Sequence, residues 1–133
     1  MYENRRIILA KMGLDCHDTG VITVAQKLRD NGFEVIYLGL HNTAEQVVRA
    51  AIDEDVAAIG VSFLSGQHMA QVRKLFAAMR AEDVDLPVLC GGVIPADDAD
   101  ELRQLGAVEV ITPGTLSEEF LQIVNRAISS NAA

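Results

Sequence analysis

Two hydrophobic periods alternate five times along this chain, and few folds are compatible with that alternation. Five short apolar runs lack the in-and-out pattern of a half-exposed strand, as strands buried on both faces do. They span residues 7–11, 35–38, 58–62, 87–90 and 109–112. Between them, apolar residues recur at the spacing of a helix with one buried stripe. The stripes are Val21, Val24, Ala25 and Leu28; Ala44, Val47, Val48, Ala51 and Ile52; Met69, Val72, Phe76 and Met79; Ala99 and Leu102; and Phe120, Ile123, Val124, Ala127 and Ile128.

Residues typical of helix ends support the same division. Two pairs have the spacing of a capping box, in which two residues satisfy each other's backbone amides at a helix start. Two glycines lie where the first and fourth helices should stop, because glycine tolerates the left-handed backbone that ends many helices. These residues are Thr43 with Gln46, Thr115 with Glu118, Gly32 and Gly106.

Strand and helix units in this order predict an α/β fold with a parallel sheet, because right-handed crossovers place helices on both faces. No linker rich in Pro, Gly or Ser divides the chain, so we expect a single domain over residues 1–133. The prediction is a flavodoxin-like, doubly wound, five-stranded sheet in the order 2-1-3-4-5. Ligands of such sheets bind beyond the strand carboxyl ends, between strands one and three.

Charge and cysteine content exclude several classes of function. The chain has 11 Lys and Arg against 19 Asp and Glu, a formal charge of -8. It has no basic cluster interleaved with aromatic residues, so we expect no nucleic-acid partner. No apolar run is long enough to cross a bilayer, and residues 7–10 are too few for a signal peptide. Cys16 and Cys90 form neither a CxxC pair nor a zinc-ligand spacing, which favours a cytoplasmic protein without disulfides.

The unusual residues follow strands one, three and four, where the switch point is expected. These segments read KMGLDCHDTG at residues 11–20, SFLSG at 62–66 and GGVIP at 91–95. No GxGxxG follows the first strand, which argues against a dinucleotide site. A phosphorylated receiver domain would need an acidic residue where the third strand ends at Ser62.

In these three segments the chain resembles the cobalamin-binding domains of carbon-skeleton mutases, corrinoid methyl carriers and methionine synthase. Their signature is Asp-x-His-x-x-Gly, then Ser-x-Leu, then Gly-Gly, matched here in the same order and on the same loops. The resemblance covers nearly the whole chain and is closest to methylmalonyl-CoA mutase-like acyl-CoA mutases, in which Gly usually stands where this chain has Cys16. The matching residues are Asp15, His17 and Gly20; Ser62 and Leu64; and Gly91 and Gly92.

The resemblance implies a role for each residue. His17 would be the lower axial ligand of cobalt in place of the cofactor's dimethylbenzimidazole, since a neutral imidazole suits that position. Asp15 would accept the other ring N–H, with Lys11 contacting Asp15 in turn. The displaced nucleotide tail would then enter a slot between strands one and three. The residues assigned to the cofactor are Lys11, Asp15, His17, Asp18, Gly20, Ser62, Leu64, Gly91, Gly92 and Thr115, the last from the turn after strand five.

The function that the resemblance implies needs a second protein. The cofactor would be adenosylcobalamin, and a separate TIM-barrel large subunit would bind the acyl-CoA and enclose its rearrangement. Two alternatives stay open, a glutamate mutase small subunit and a corrinoid methyl-carrier protein. His41 and His68 are interpreted as surface or interface residues, although His68 could face the corrin. Residues 97–101 are interpreted as a solvated helix start, where carboxylates suit the helix dipole.

Overall fold

The computed structural model describes residues 4–12, 19–63, 68–92, 94–111 and 117–131. Within them strands and helices alternate as predicted. The strands are β1 (Arg6–Lys11), β2 (Glu34–Tyr37), β3 (Ala58–Phe63), β4 (Val88–Gly92) and β5 (Glu109–Ile111). The helices are α1 (Thr19–Asp30), α2 (Ala44–Asp53), α3 (His68–Ala81), α4 (Ala96–Leu105) and α5 (Ser117–Asn131).

The strands of the described part form one parallel sheet in the order β2-β1-β3-β4-β5. This order confirms the flavodoxin-like, doubly wound α/β prediction. It also places the change of winding direction between β1 and β3, where Leu9 lies opposite Gly60 and Lys11 opposite Ser62. A ligand site is therefore expected at the carboxyl ends of these two strands.

Apolar side chains cover both faces of the sheet, because successive strand residues point to opposite faces. In β1, Ile8 and Ala10 belong to a cluster with residues of α2, α3 and α4. Ile7 and Leu9 belong to a second cluster with residues of α1 and α5. Each face thus carries its own buried layer, which explains why the strand runs lack alternation.

The predicted helix ends are confirmed where the structure describes them. The Thr43 amide donates to Oε1 of Gln46 at 2.8 Å, and the Gln46 amide donates to Oγ1 of Thr43 at 3.2 Å, which completes a capping box. Gly106 ends α4 with a φ of 127°, and Gly32 follows α1 with a φ of 89°. The proposed cap at Thr115 lies outside the described residues.

Two details of the predicted core are wrong. Ile52, assigned to the buried stripe of α2, is 44% exposed because it lies in the last turn, beyond the end of that stripe. Leu75 was not assigned to the core, yet it is completely buried in α3. Tertiary packing shifts the buried face of a helix by a residue, which periodicity alone does not resolve.

Gly92, the last residue of β4, is a position that only glycine fits. Its φ is 118°, and a Cβ built on it would lie 1.8 Å from the carbonyl oxygen of Phe63, directly across the sheet. The backbones of β3 and β4 therefore approach where a side chain would hold them apart.

We predict that Gly92→Ala destabilises the fold strongly. Strain at positive φ and displacement of the Phe63 backbone should together lower the free energy of unfolding by about 3 kcal/mol or more. Gly39→Ala is the matched control, because Gly39 also has positive φ (82°) but nothing lies within 4 Å of its Cβ position. It should cost only about 1 kcal/mol. Urea unfolding measures both, and equal losses would contradict the assigned contact.

Candidate functional site

The carboxyl ends of four neighbouring strands place one residue each in a row across the sheet. Lys11 of β1 lies opposite Ser62 of β3, Ser62 opposite Gly91 of β4, and Gly91 opposite Ile111 of β5. Three residues assigned from separate segments of the sequence, Lys11, Ser62 and Gly91, are thus adjacent. The fold places them at the switch point.

A cavity of about 260 Å³ lies beside this row, between the sheet and helices α1 and α5. Among the described lining residues, Ser62 contributes the only side-chain oxygen. The helices supply apolar side chains to its walls, which suits an apolar or flat aromatic group better than a charged one. The helix residues are Val21, Val24, Leu28, Phe120 and Val124.

The cavity exists because the sheet carries small residues where a buried face normally carries branched ones. Gly60, Ser62 and Gly91 line its floor. A Cβ at Gly60 would lie 2.5 Å from Cδ2 of Leu9, so that glycine lets Leu9 spread over β3. At Gly91 the nearest atom to a Cβ would be the Ile111 carbonyl oxygen at 3.5 Å, an ordinary contact. Gly91 therefore leaves space that the fold does not itself need.

Gly60 belongs to the site but was missed in the sequence reasoning. Its signal was present, since a glycine inside an apolar strand often marks a close approach of backbone or ligand. The motif residues begin at Ser62 in this part of the chain, and Gly60 lies two residues before it.

The backbone after β1 is held against the β2–α2 loop. The Lys11 amide donates to the Gly39 carbonyl at 3.1 Å, and the Lys11 carbonyl accepts from the Asn42 amide at 3.0 Å and from Nδ2 of Asn42 at 3.1 Å. The Lys11 side chain is completely buried. This network fixes the end of β1, and Asn42 was another residue that sequence reasoning missed. His41 beside it is exposed, as predicted.

His68 was interpreted as a surface or interface residue that could face the corrin, and the surface part of this interpretation was wrong. It is 5% exposed, and its Nε2 lies 2.7 Å from Oδ2 of Asp98 in the first turn of α4. Asp98 is partly buried by this contact, whereas Asp97, Asp100 and Glu101 are exposed. The acidic stretch is therefore a solvated helix start except at Asp98. Its pairing with a histidine thirty residues away follows from the packing of α3 on α4, which no local pattern reveals.

Cys90 is a buried structural thiol. It is completely inaccessible, and burial raises the pKa of the Cys90 thiol to about 12. A thiol that stays protonated at neutral pH is a poor nucleophile and a poor metal ligand. Within the described residues no group of three or more His, Cys, Asp or Glu side chains could hold a metal ion.

Several assigned residues lie outside the described part of the chain. They are Asp15, His17, Asp18, Leu64 and Thr115, together with Cys16. Gly20 is the second residue of α1. The roles assigned to these residues stay predictions. Lys11 and the start of α1 bracket the segment that contains Asp15 and His17.

The fold and the cavity define a flavodoxin-like ligand-binding domain with an apolar cleft at its switch point. Residues 5–121 match the model of the B12 binding domain family. The chain belongs to this family. In the described part of the chain, no helix is both long enough and apolar enough to cross a membrane.

Two relatives match nearly the whole chain. It is 43% identical over 129 residues to the 2-hydroxyisobutanoyl-CoA mutase small subunit of Aquincola tertiaricarbonis, covering 96% of this chain and 95% of that protein. It is 44% identical over 127 residues to the methylmalonyl-CoA mutase large subunit of Propionibacterium freudenreichii subsp. shermanii, covering 94% of this chain but 17% of that protein. The same domain thus occurs as a separate subunit and as a small part of a longer chain.

Solved structures agree on the fold. A cobalamin-binding protein from Desulfitobacterium hafniense DCB-2 superposes with a TM-score of 0.76 at 25% identity, covering 92% of this chain and 58% of that one. The signal receiver domain of NarL from Mycobacterium tuberculosis superposes with a TM-score of 0.68 at 16% identity, covering 99% of each chain. The second likeness shows a shared fold alone.

Proposed function

We propose that this chain is the cobalamin-binding small subunit of an adenosylcobalamin-dependent acyl-CoA mutase, an isomerase. The observation that carries the proposal is the end-to-end similarity to a separate mutase small subunit. The cavity beside Ser62 and Gly91 supports it, because it offers an apolar slot at the switch point of the sheet. A cytoplasmic location is part of the proposal.

The described residues fit the nucleotide tail of the cofactor. A flat aromatic base can be buried between α1, α5 and the glycine floor without leaving charged groups unpaired. Ser62, Gly91 and Gly92 would contact the tail, Ser62 through its hydroxyl. Leu64 would add an apolar wall, and Thr115 would close the far side. Asp18 and Gly20 would complete the contacts from the first loop.

His17 is proposed to hold the cobalt of the cofactor through its imidazole, which Asp15 would orient. Lys11 supports this arrangement, because it is completely buried only four residues before Asp15. A buried ammonium group requires an anionic or hydrogen-bonding partner, and Asp15 would supply one. The carboxylate would then hold the imidazole in the tautomer that leaves one ring nitrogen free for the metal.

When bound, adenosylcobalamin supplies the radical chemistry that starts the rearrangement. This chain's residues would bind and orient the cofactor. A large mutase subunit, which we propose to be a TIM barrel, would bind the acyl-CoA and exclude water. Substrate choice would then depend on that partner, with methylmalonyl, isobutyryl and 2-hydroxyisobutyryl thioesters as candidates. The name of the full-length relative makes 2-hydroxyisobutanoyl-CoA the first to test.

We predict that Gly91→Val leaves the fold intact but blocks the tail. The backbone is not at positive φ and a Cβ meets only an ordinary contact, so the free energy of unfolding should change by less than about 1 kcal/mol. Affinity for adenosylcobalamin should fall at least about tenfold, because the added methyl groups occupy the cavity. Gly91→Ala should give a smaller loss in the same titration. Unchanged affinity in folded Gly91→Val would place the tail elsewhere.

The proposed function is tested by reconstitution with a large subunit. The purified chain should bind adenosylcobalamin and isomerise no acyl-CoA by itself. Mixing it with an acyl-CoA mutase large subunit that lacks its own cobalamin domain should give isomerase activity. Adenosylcobalamin should also tighten the association of the two proteins, because a ligand that contacts both partners couples reciprocally to their binding.

Isomerisation by the chain alone would contradict the proposal. Methyl transfer from the methylated corrinoid to an acceptor protein, without isomerisation in the mixture, would support the methyl-carrier alternative.

A further inference from the structure

We infer that the His68–Asp98 pair is a positioning device for the cofactor site, which holds the carboxyl ends of β3 and β4 at the spacing that the nucleotide tail requires. The inference rests on the proposed function. Neither residue is among those assigned to the cofactor, and both lie on the face of the sheet opposite the cavity.

Each partner of the pair lies at the start of a helix. His68 is the first residue of α3, directly after the loop that follows β3. Asp98 lies in the first turn of α4, directly after the segment that follows β4. Their 2.7 Å contact therefore joins the two helix starts at the carboxyl edge of the sheet.

Two further contacts connect the pair to the ends of β3 and β4. The ring of Phe63, the last residue of β3, lies edge to face with the imidazole of His68, with centroids 6.3 Å apart. The Phe63 backbone in turn packs against Gly92, the last residue of β4, where no Cβ fits. The end of β3 thus contacts both the start of α3 and the end of β4, and the start of α3 contacts the start of α4.

These contacts support the site from the opposite face of the sheet. Ser62 precedes Phe63 and Gly91 precedes Gly92, so two of the proposed tail contacts, Ser62 and Gly91, lie one residue from these contacts. The third, Gly92, takes part in them. Because strand neighbours point to opposite faces, a shift of Phe63 or Gly92 moves Ser62 and Gly91 relative to the cavity. The spacing of the two strand ends therefore depends on the pair.

The chemistry of the pair favours positioning over simple stability. Nδ1 of His68 is buried, and among the described residues it has no hydrogen-bond partner. A polar pair with a buried, unsatisfied atom stabilises a core less than apolar side chains of similar size would. What it provides is direction, since a hydrogen bond to a carboxylate fixes the orientation and distance of the two helix starts.

The test is titration of variant chains with adenosylcobalamin and with a cobinamide, a corrinoid that lacks the nucleotide tail. Asp98→Ala and His68→Leu should each lower adenosylcobalamin affinity about 10- to 100-fold, as expected for loss of a hydrogen bond to a charged group. The double variant should lose no more than either single one, because both remove the same contact. Asp98→Asn, which can still accept from Nε2, should recover most of the affinity.

Cobinamide affinity should stay within about threefold of wild type in all variants, because only the tail would lie between the ends of β3 and β4. Glu101→Ala is the matched control, since Glu101 also pairs with α3, through Arg73 at 3.7 Å, but at an exposed position. It should leave both affinities unchanged. Circular dichroism and urea unfolding establish that each variant is folded.

Equal losses for cobalamin and cobinamide, or a loss that follows the drop in unfolding free energy across all variants, would show a merely structural pair and overturn the inference. Wild-type affinity in folded Asp98→Ala would overturn it as well. Failure of the wild-type chain to bind adenosylcobalamin would instead overturn the proposed function, and the inference with it.

Discussion

A parallel sheet covered by helices on both faces normally fills each face with branched apolar side chains, and one face of this sheet departs from that rule. Gly60, Ser62 and Gly91 lie on neighbouring strands under α1 and α5. Larger residues such as Ile7 and Leu9 still pack against the two helices. The small residues therefore leave a cavity rather than a collapsed layer, and a ligand that fills it recovers the missing contacts.

The opposite face carries a continuous layer of buried side chains. There Phe63 lies against Gly92, and His68 pairs with Asp98. Close-packed interiors resist deformation. The packed face therefore keeps the strand ends in place although the other face contains a cavity. The cavity face can then take a large part of a cofactor while the strand ends stay in register.

Sequence patterns predicted the sheet order, the start of α2 and the adjacency of Lys11, Ser62 and Gly91, because strand period, a capping pair and crossover handedness follow local or topological rules. They did not predict that His68 is buried against Asp98, since this contact depends on how two helices pack. Gly60 carried a readable signal but lay outside the motif. Periodicity also did not predict that Ile52 is exposed and Leu75 buried, because it does not determine which residues at the edge of a helical stripe the core covers.

We propose that His17 binds cobalt in place of the cofactor's own base. Electron paramagnetic resonance of the Co(II) cofactor, bound to chain labelled with nitrogen-15 histidine, tests it most directly. A protein imidazole ligand would split each cobalt line into a doublet, because nitrogen-15 has spin one half. A triplet unchanged by the label would mean that the unlabelled benzimidazole is still bound to the metal, and the account of this site would be wrong.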